Sequence, residues 1–295
     1  MAKKKSGSIA VPFLVTIFIG LIIVGGGAFA IYKYFGLGHD DTPQKPIPRQ
    51  VTLSTYEDSH TILFMLDDPN SKCSSTFVLM RSVPKDKKLT FIGIPANTIA
   101  LIGDEQQSLK GSYERGGPAA AVDFTQTIFN IKIDRYLVFD PESFVKTCDI
   151  LGGVTYPVSE DIVGFKSDSE MQFLNAEQIK TLVTYSMFKG GETQRAYVAS
   201  SIVSEMMNQA VADGGRIADG LDSSFNTIIN MSGVKTDITG VDYKKRKVAI
   251  KNMLERGSSI ASFISLDGTE ADADFIPSAT FINNIVDQYF KDPVE

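Results

Sequence analysis

Apolar residues gather in three kinds of stretch: one long run near the start, short runs in the first half of the body, and long helical patterns behind them. Ile9 to Ile31 is 23 residues without a charge. A helix rises ~1.5 Å per residue, so this run spans a ~30 Å hydrocarbon core with some tilt. Tyr32, Tyr34 and Phe35 follow it as an interfacial belt would, and Lys3, Lys4 and Lys5 precede it. Positive residues stay inside, so the N-terminus is expected in the cytoplasm and the remainder outside. The expected organisation is a cytoplasmic tail over 1–8, a transmembrane helix over 9–35, an extracytoplasmic stalk over 36–57 and a folded body over 58–295. A cleaved signal peptide is the competing reading, since Gly25 to Ala30 offers the small residues of a cleavage site. The apolar run exceeds a ~7–15-residue signal core, which favours a retained anchor. Gly36, Gly38, Pro43, Pro46 and Pro48, without apolar periodicity, make the stalk.

In the body, Thr61–Leu66 reads as a buried strand that runs into Asp67-Asp68-Pro69. Thr76–Val83 and Leu89–Ile94 are further strands, with Pro84 to Lys88 as the loop between them. Gly116-Gly117-Pro118 opens an alanine-rich helix to Phe129. Arg135–Phe139 is a strand, Pro141–Leu151 a helix closed by Gly152-Gly153, and Val154–Val158 a strand. Helices then dominate: Asn175–Phe188, Glu192–Ala212, Ser223–Met231 and Asp242–Arg256. Ile260–Leu266 is a late strand and Ser278–Tyr289 a closing helix. Strands alternating with helices predict one layered α/β domain.

Charge narrows the function classes. The chain of 295 residues holds 29 Lys+Arg against 35 Asp+Glu. Residues 1–36 carry four lysines and no acid, which leaves the remainder near −10. Such a body is a poor partner for nucleic acid. Two histidines and two cysteines exclude a disulfide scaffold and a four-cysteine zinc site. Cys73 and Cys148 are either a pair or two separate thiols, and spacing does not decide. No G-x-S-x-G, P-loop or G-x-G-x-x-G occurs. Three loops follow strands on one expected rim: Asp67-Asp68, Ile94 to Thr98, and Gly116 to Pro118. Asp68 there is either an oxygen ligand for a divalent cation or an ordinary turn residue.

Taken in order, the motifs resemble the LytR-CpsA-Psr (LCP) family. Ile62–Asp68 is similar to its first strand. Ser74 to Leu79 stands at its R-S-D-T segment, and Ile94-Pro95-Ala96-Asn97-Thr98 at I-P-R-D-T. Tyr113-Glu114-Arg115-Gly116-Gly117-Pro118 resembles Y-x-x-G-G-P, and Leu151-Gly152-Gly153-Val154 resembles L-G-G-V. Leu174-Asn175-Ala176-Glu177-Gln178 resembles L-N-G-E-Q, and Val234 to Asp237 the later V-x-T-N/D. The resemblance covers Ser59 to Tyr289. It implies a layered α-β-α sandwich with a mixed central sheet, preceded by one transmembrane helix. It also implies a single-pass cell-membrane protein with its C-terminal domain extracytoplasmic. Members move a glycopolymer from a polyprenyl-pyrophosphate carrier to peptidoglycan, with arginines on the pyrophosphate and carboxylates on Mg2+.

The departures fall on the residues that carry this chemistry. Asp68 keeps the first acidic position and is the metal candidate. Cys73 replaces the Arg of R-S-D-T and Ser75 its Asp; Ala96 and Asn97 replace the Arg-Asp pair; Lys110 stands at a usual Asn. After Gln178 the family's Y-x-R-x-R becomes Thr184-Tyr185-Ser186-Met187. Glu192 and Arg195 remain, and Val198-Ala199 stands for Arg-Gln. A lost charged phosphate contact costs ~2–5 kcal/mol, and one such loss slows transfer ~100-fold or more. The expected phosphate or ligand set is Lys72, Ser75, Thr76, Asn97, Lys110, Arg115 and Arg195. Val198, Ile202 and Met206 are the expected walls of a lipid pocket. The leading expectation is a degenerate relative that binds a polyprenyl phosphate or pyrophosphate lipid, or that regulates or scaffolds other envelope proteins. An active phosphotransferase and an interaction module without lipid are the alternatives.

Overall fold

The first strand of the body, β1 (His60–Leu66), is apolar along both faces, as a strand covered on both sides must be. The structure is a computed structural model and describes residues 53–67, 75–213, 215–255 and 259–291. The tail, transmembrane helix and stalk expected over 1–57 therefore lie almost wholly outside the described residues, as do Asp68, Lys72 and Cys73. No described helix is long and apolar enough to cross a membrane.

After β1 come β2 (Thr76–Val83) and β3 (Lys88–Ile94), an antiparallel meander turned by a short 3₁₀ segment at Pro84–Asp86. A small hairpin, β4 (Ile99–Ile102) and β5 (Glu105–Ser108), leads into helix α1 (Leu109–Phe129). Next are β6 (Arg135–Phe139), α2 (Pro141–Leu151), and the hairpin β7 (Val154–Pro157) with β8 (Met171–Leu174). Four helices follow: α3 (Ala176–Val183), α4 (Gly191–Ala212), α5 (Arg216–Asp219) and α6 (Leu221–Ile229). The chain closes with β9 (Val234–Thr236), α7 (Gly240–Leu254), β10 (Ala261–Ser265), the hairpin β11 (Gly268–Ala271) and β12 (Asp274–Pro277), and α8 (Ala279–Tyr289).

Six strands form one sheet in the order β10-β3-β2-β1-β6-β9. β10 with β3 and β1 with β6 are parallel, and the other three pairs are antiparallel, so the sheet is mixed. Alternate residues feed opposite layers, as the period of a strand requires. Leu63, Met65, Phe77, Leu79 and Ile92 pack with residues of α1 and α8. Val78, Met80, Phe91, Leu137 and Phe139 pack with residues of α2, α3 and α4. These two cores make the α-β-α sandwich with a mixed central sheet that the motifs implied.

Two local features differ from the sequence reading. Pro118 opens the alanine-rich stretch to Phe129 as read, but within α1 another helical stretch precedes it. The helix starts at Leu109, where the Ser108 hydroxyl caps it by accepting from the Gly111 N–H at 3.0 Å. Gly117, with φ +65°, breaks the helix ahead of Pro118, whose ring and missing N–H forbid a regular turn. The helix expected over Asn175–Phe188 ends at Val183. There Tyr185 and Phe188 turn into an edge-on pair at 5.0 Å instead of continuing it. Over the sheet, α4 comes close enough at Gly93 that an added Cβ would lie 2.0 Å from the Ala196 carbonyl oxygen. Only glycine admits that approach.

Candidate functional site

Three elements meet at the carboxyl end of β1. Asp67 leaves the strand there, its N–H bonded to the Phe139 carbonyl of neighbouring β6 at 2.9 Å. Across the ladder Leu66 pairs with Thr76, so the start of β2 faces the end of β1. The Ser75 hydroxyl donates to Asp67 Oδ1 at 3.4 Å, and the Tyr113 hydroxyl of α1 donates to Asp67 Oδ2 at 2.9 Å. Tyr113 also packs edge-on against Phe77, with ring centres 5.8 Å apart. Burial, then the Asp67 carboxylate, push the Tyr113 phenol far above its ordinary range, so it is a hydrogen-bond donor at any working pH.

Beside this group, Thr76 Oγ1 donates to the Val183 carbonyl at the end of α3, 3.2 Å away. Arg195, buried on α4, reaches the same hydroxyl at 3.5 Å with Nη1, and its Nη2 pairs with Glu192 one turn back. The structure brings Thr76 and Arg195 of the expected set together, and sets the adjacent Ser75 against Asp67. Asp67, with Ser75 and Tyr113 as its partners, was not among the expected residues, and Asp68 lies outside the described residues. Tyr113 stood in a quoted motif but carried no assigned role.

The remaining candidates turn elsewhere. Asn97 donates to the Ala273 carbonyl at 2.8 Å and holds the β11–β12 hairpin. Lys110 pairs with Glu114 along its own helix at 3.7 Å. Arg115 donates back to the Gly111 carbonyl at 3.2 Å. None of the three bonds to Asp67, Ser75 or Arg195. These placements keep Asn97, Lys110 and Arg115 apart from Asp67, Ser75 and Arg195: Asn97 meets the β11–β12 hairpin, and the other two meet partners on their own helix.

A cavity of about 270 Å³ lies between the sheet and α2, α4 and α6, and Thr76 and Val183 line it as well as bordering the polar cluster. Phe64, Phe91, Phe139, Ala199, Val203 and Met206 form much of its wall. Met206 was an expected wall residue; Val198 and Ile202 are core instead. Cys148 is free and also lines the cavity, where burial pushes its thiol up to about 12. A cavity walled mainly by apolar side chains suits hydrocarbon. A guanidinium, hydroxyls and a carboxylate at one end suit a charged head group or a proton transfer.

Magnesium, which the motifs implied, finds no built set among the described residues: no three His, Cys, Asp or Glu side chains converge there. Both Asp67 oxygens face hydroxyl donors, and Glu192 faces Arg195.

A family model described as the LytR_cpsA_psr family matches residues 36–194. A polyisoprenyl-teichoic acid–peptidoglycan teichoic acid transferase TagU of Oceanobacillus iheyensis is 21% identical over 266 residues, 81% of this chain and 83% of that protein. TagU of Bacillus cereus is 27% identical over 163 residues, 51% of this chain, and the match spans about half of it (53%). The crystal structure of Bacillus subtilis TagV superposes with a TM-score of 0.62 at 20% identity, covering 80% of this chain and 98% of that one.

Proposed function

Since the chain belongs to the LytR-CpsA-Psr family, we propose that it is an envelope protein that takes a polyprenyl-linked ligand into the apolar cavity and has weak or no transferase activity of its own. The observation that carries this reading is the junction at Thr76. That residue lines a cavity fit for hydrocarbon and contacts Arg195 in the polar cluster. A polyprenyl chain would fill the cavity while its phosphate lay against Arg195, Ser75 and Thr76. The ligand class follows from the relatives, which are described as polyisoprenyl-teichoic acid–peptidoglycan transferases. The proposed location is the outer face of the cell membrane, through the apolar run Ile9 to Ile31.

Weak activity follows from the charges. Among the described residues of the cluster, Arg195 is the one arginine, and Glu192 occupies one arm of its fork. A pyrophosphate needs several such forks as its leaving group departs. A single arginine can hold a phosphate without stabilising that change.

A second reading, an active phosphotransferase, draws on the Arg195–Glu192 pair, which reaches the cavity residue Thr76, and on Asp67 at the end of β1. In that reading Asp68 would supply oxygen to Mg2+, a hard cation that neutralises phosphate charge. Tyr113 and Ser75 would hold the Asp67 carboxylate in one orientation.

Native mass spectrometry with lipid extraction, on the full chain purified from its own membrane, tests the proposal. A co-purifying polyprenyl phosphate or pyrophosphate is the expected result. A clean apo mass overturns lipid binding and leaves an interaction module. Turnover of a polyprenyl-pyrophosphate donor, dependent on Mg2+ and lost in Asp68→Ala, would favour the second reading.

A further inference from the structure

A second cavity, of about 410 Å³, lies on the same side of the sheet, against α6 and α7. Its floor is apolar and includes Phe64, Leu137 and Ile228, three residues that also line the first cavity. Those three side chains are therefore a shared wall. Phe225 and Tyr243, stacked at 3.9 Å with nearly parallel rings, form another side.

The rim carries four basic side chains, Lys132, Arg135, Lys245 and Arg246, against two acidic ones, Asp134 and Asp242. Asp134 accepts the Thr61 N–H at 2.9 Å and pairs with Lys132 at 3.8 Å. Asp242 takes Arg135 in a two-point bridge at 2.8 and 3.0 Å. Both acids at the cavity are thus occupied. Lys245 and Arg246 line it too, and neither has an ion-pair partner among the described residues. The Arg246 Nε is buried and without a hydrogen-bond acceptor. An unpaired buried donor of a cationic group costs free energy unless something supplies the acceptor. His60, next along the wall, is held neutral by burial and so adds no further charge.

We propose that this second cavity binds a single-chain anionic amphiphile. Its phosphate or carboxylate head lies on Lys245 and Arg246, and its hydrocarbon chain lies over Phe64, Leu137 and Ile228. A small anion alone would leave the apolar floor uncovered, and a neutral hydrocarbon would leave Arg246 Nε without an acceptor. The head-group end of this site is distinct from Arg195 and Thr76, and the two cavities share the wall of Phe64, Leu137 and Ile228.

The test uses the full chain in phosphatidylcholine nanodiscs, with empty discs as blank, titrated calorimetrically with dodecyl phosphate, dodecanoate, dodecanol and inorganic phosphate. Either dodecyl anion is expected to bind more tightly than dodecanol or inorganic phosphate. The tighter of the two tells a phospholipid-type head from a fatty acid. Arg246→Gln, at a partly exposed position, is expected to weaken that anion on the order of tenfold, and Lys245→Gln less. Ala199→Phe, which fills only the first cavity, is expected to leave it unchanged. Unchanged binding in Arg246→Gln overturns the proposal. So does loss of binding in Ala199→Phe with Arg246→Gln unaffected, because the probe then sits in the first cavity. Dodecanol or inorganic phosphate binding as tightly as the dodecyl anions overturns it as well.

Discussion

The Tyr113 hydroxyl, on the first helix, donates to Asp67 Oδ2 at 2.9 Å, at the end of the first strand. The bond ties the sheet to the helix layer packed on it, and the other carboxylate oxygen accepts from Ser75. Tyr113→Phe removes the donor and keeps the ring against Phe77. It is expected to lower stability by about 1 kcal/mol, read from the urea midpoint at unchanged slope. If donor turnover exists, it should fall further than stability does, because Asp67 would lose its fixed orientation.

Arg195 is buried, with its side chain only 3% exposed, and its partner Glu192 is 25% exposed. Arg195→Met leaves Glu192 without its partner. The expected loss is ~3 kcal/mol, at the low end for a broken buried pair because water reaches Glu192. Arg195→Lys keeps the charge and loses the fork. It should recover much of the stability while polyprenyl-phosphate binding stays weakened. Lys binding as tightly as Arg would remove the phosphate role from this residue.

Ala199→Phe places a ring in the first cavity. Room for it exists, so stability should change by less than ~1.5 kcal/mol. Lipid carried through purification should disappear from the native mass spectrum. Retained lipid would show that the chain lies elsewhere.

The Asp242–Arg135 bridge fastens α7 to β6 and supplies an acid-sensitive contribution. The Arg135 guanidinium, first among the causes, holds the Asp242 carboxyl far below its ordinary value of 3.8. A carboxyl depressed in the folded state stabilises fully above its unfolded pKa and loses that contribution as pH falls through the folded one. Asp242→Asn is therefore expected to cost about 1 kcal/mol at pH 7, a modest figure because Arg135 is partly exposed. Acid titration followed by circular dichroism should show wild type and variant converging below pH 3.8. A gap that persists at the lowest pH would mean the loss is packing, not charge.

The strands of the central sheet were the most legible part of the sequence. Thr76–Val83 and Arg135–Phe139 match their observed bounds, because buried apolar runs between polar turns leave little freedom. The hairpin Gly268–Ala271 with Asp274–Pro277 was not legible, since its first strand is exposed throughout and shows no apolar alternation. The cavity wall was misassigned by one position: Val198 and Ile202 instead of Ala199 and Val203. That helix is buried on several faces, at Ala196, Val198, Ala199, Ile202 and Met206 among others. Periodicity therefore does not say which face meets the core and which meets a void. What Asp67 meets at the strand end is set by the register of β1 with β2 and by the helix above it, which bring Ser75 and Tyr113 to its carboxylate.

The contact at Gly93 fixes more than the spacing of two layers. It pins α4 to the sheet at Ala196, one residue from Arg195, so the head-group end of that helix has a set position. From Arg195 to Met206 the helix then rises ~16 Å at ~1.5 Å per residue. A ligand bonded at Arg195 must carry an apolar chain of about that reach before it touches Met206. The helix acts as a ruler with its zero mark at a glycine, and ligands with shorter tails leave its far graduations unread.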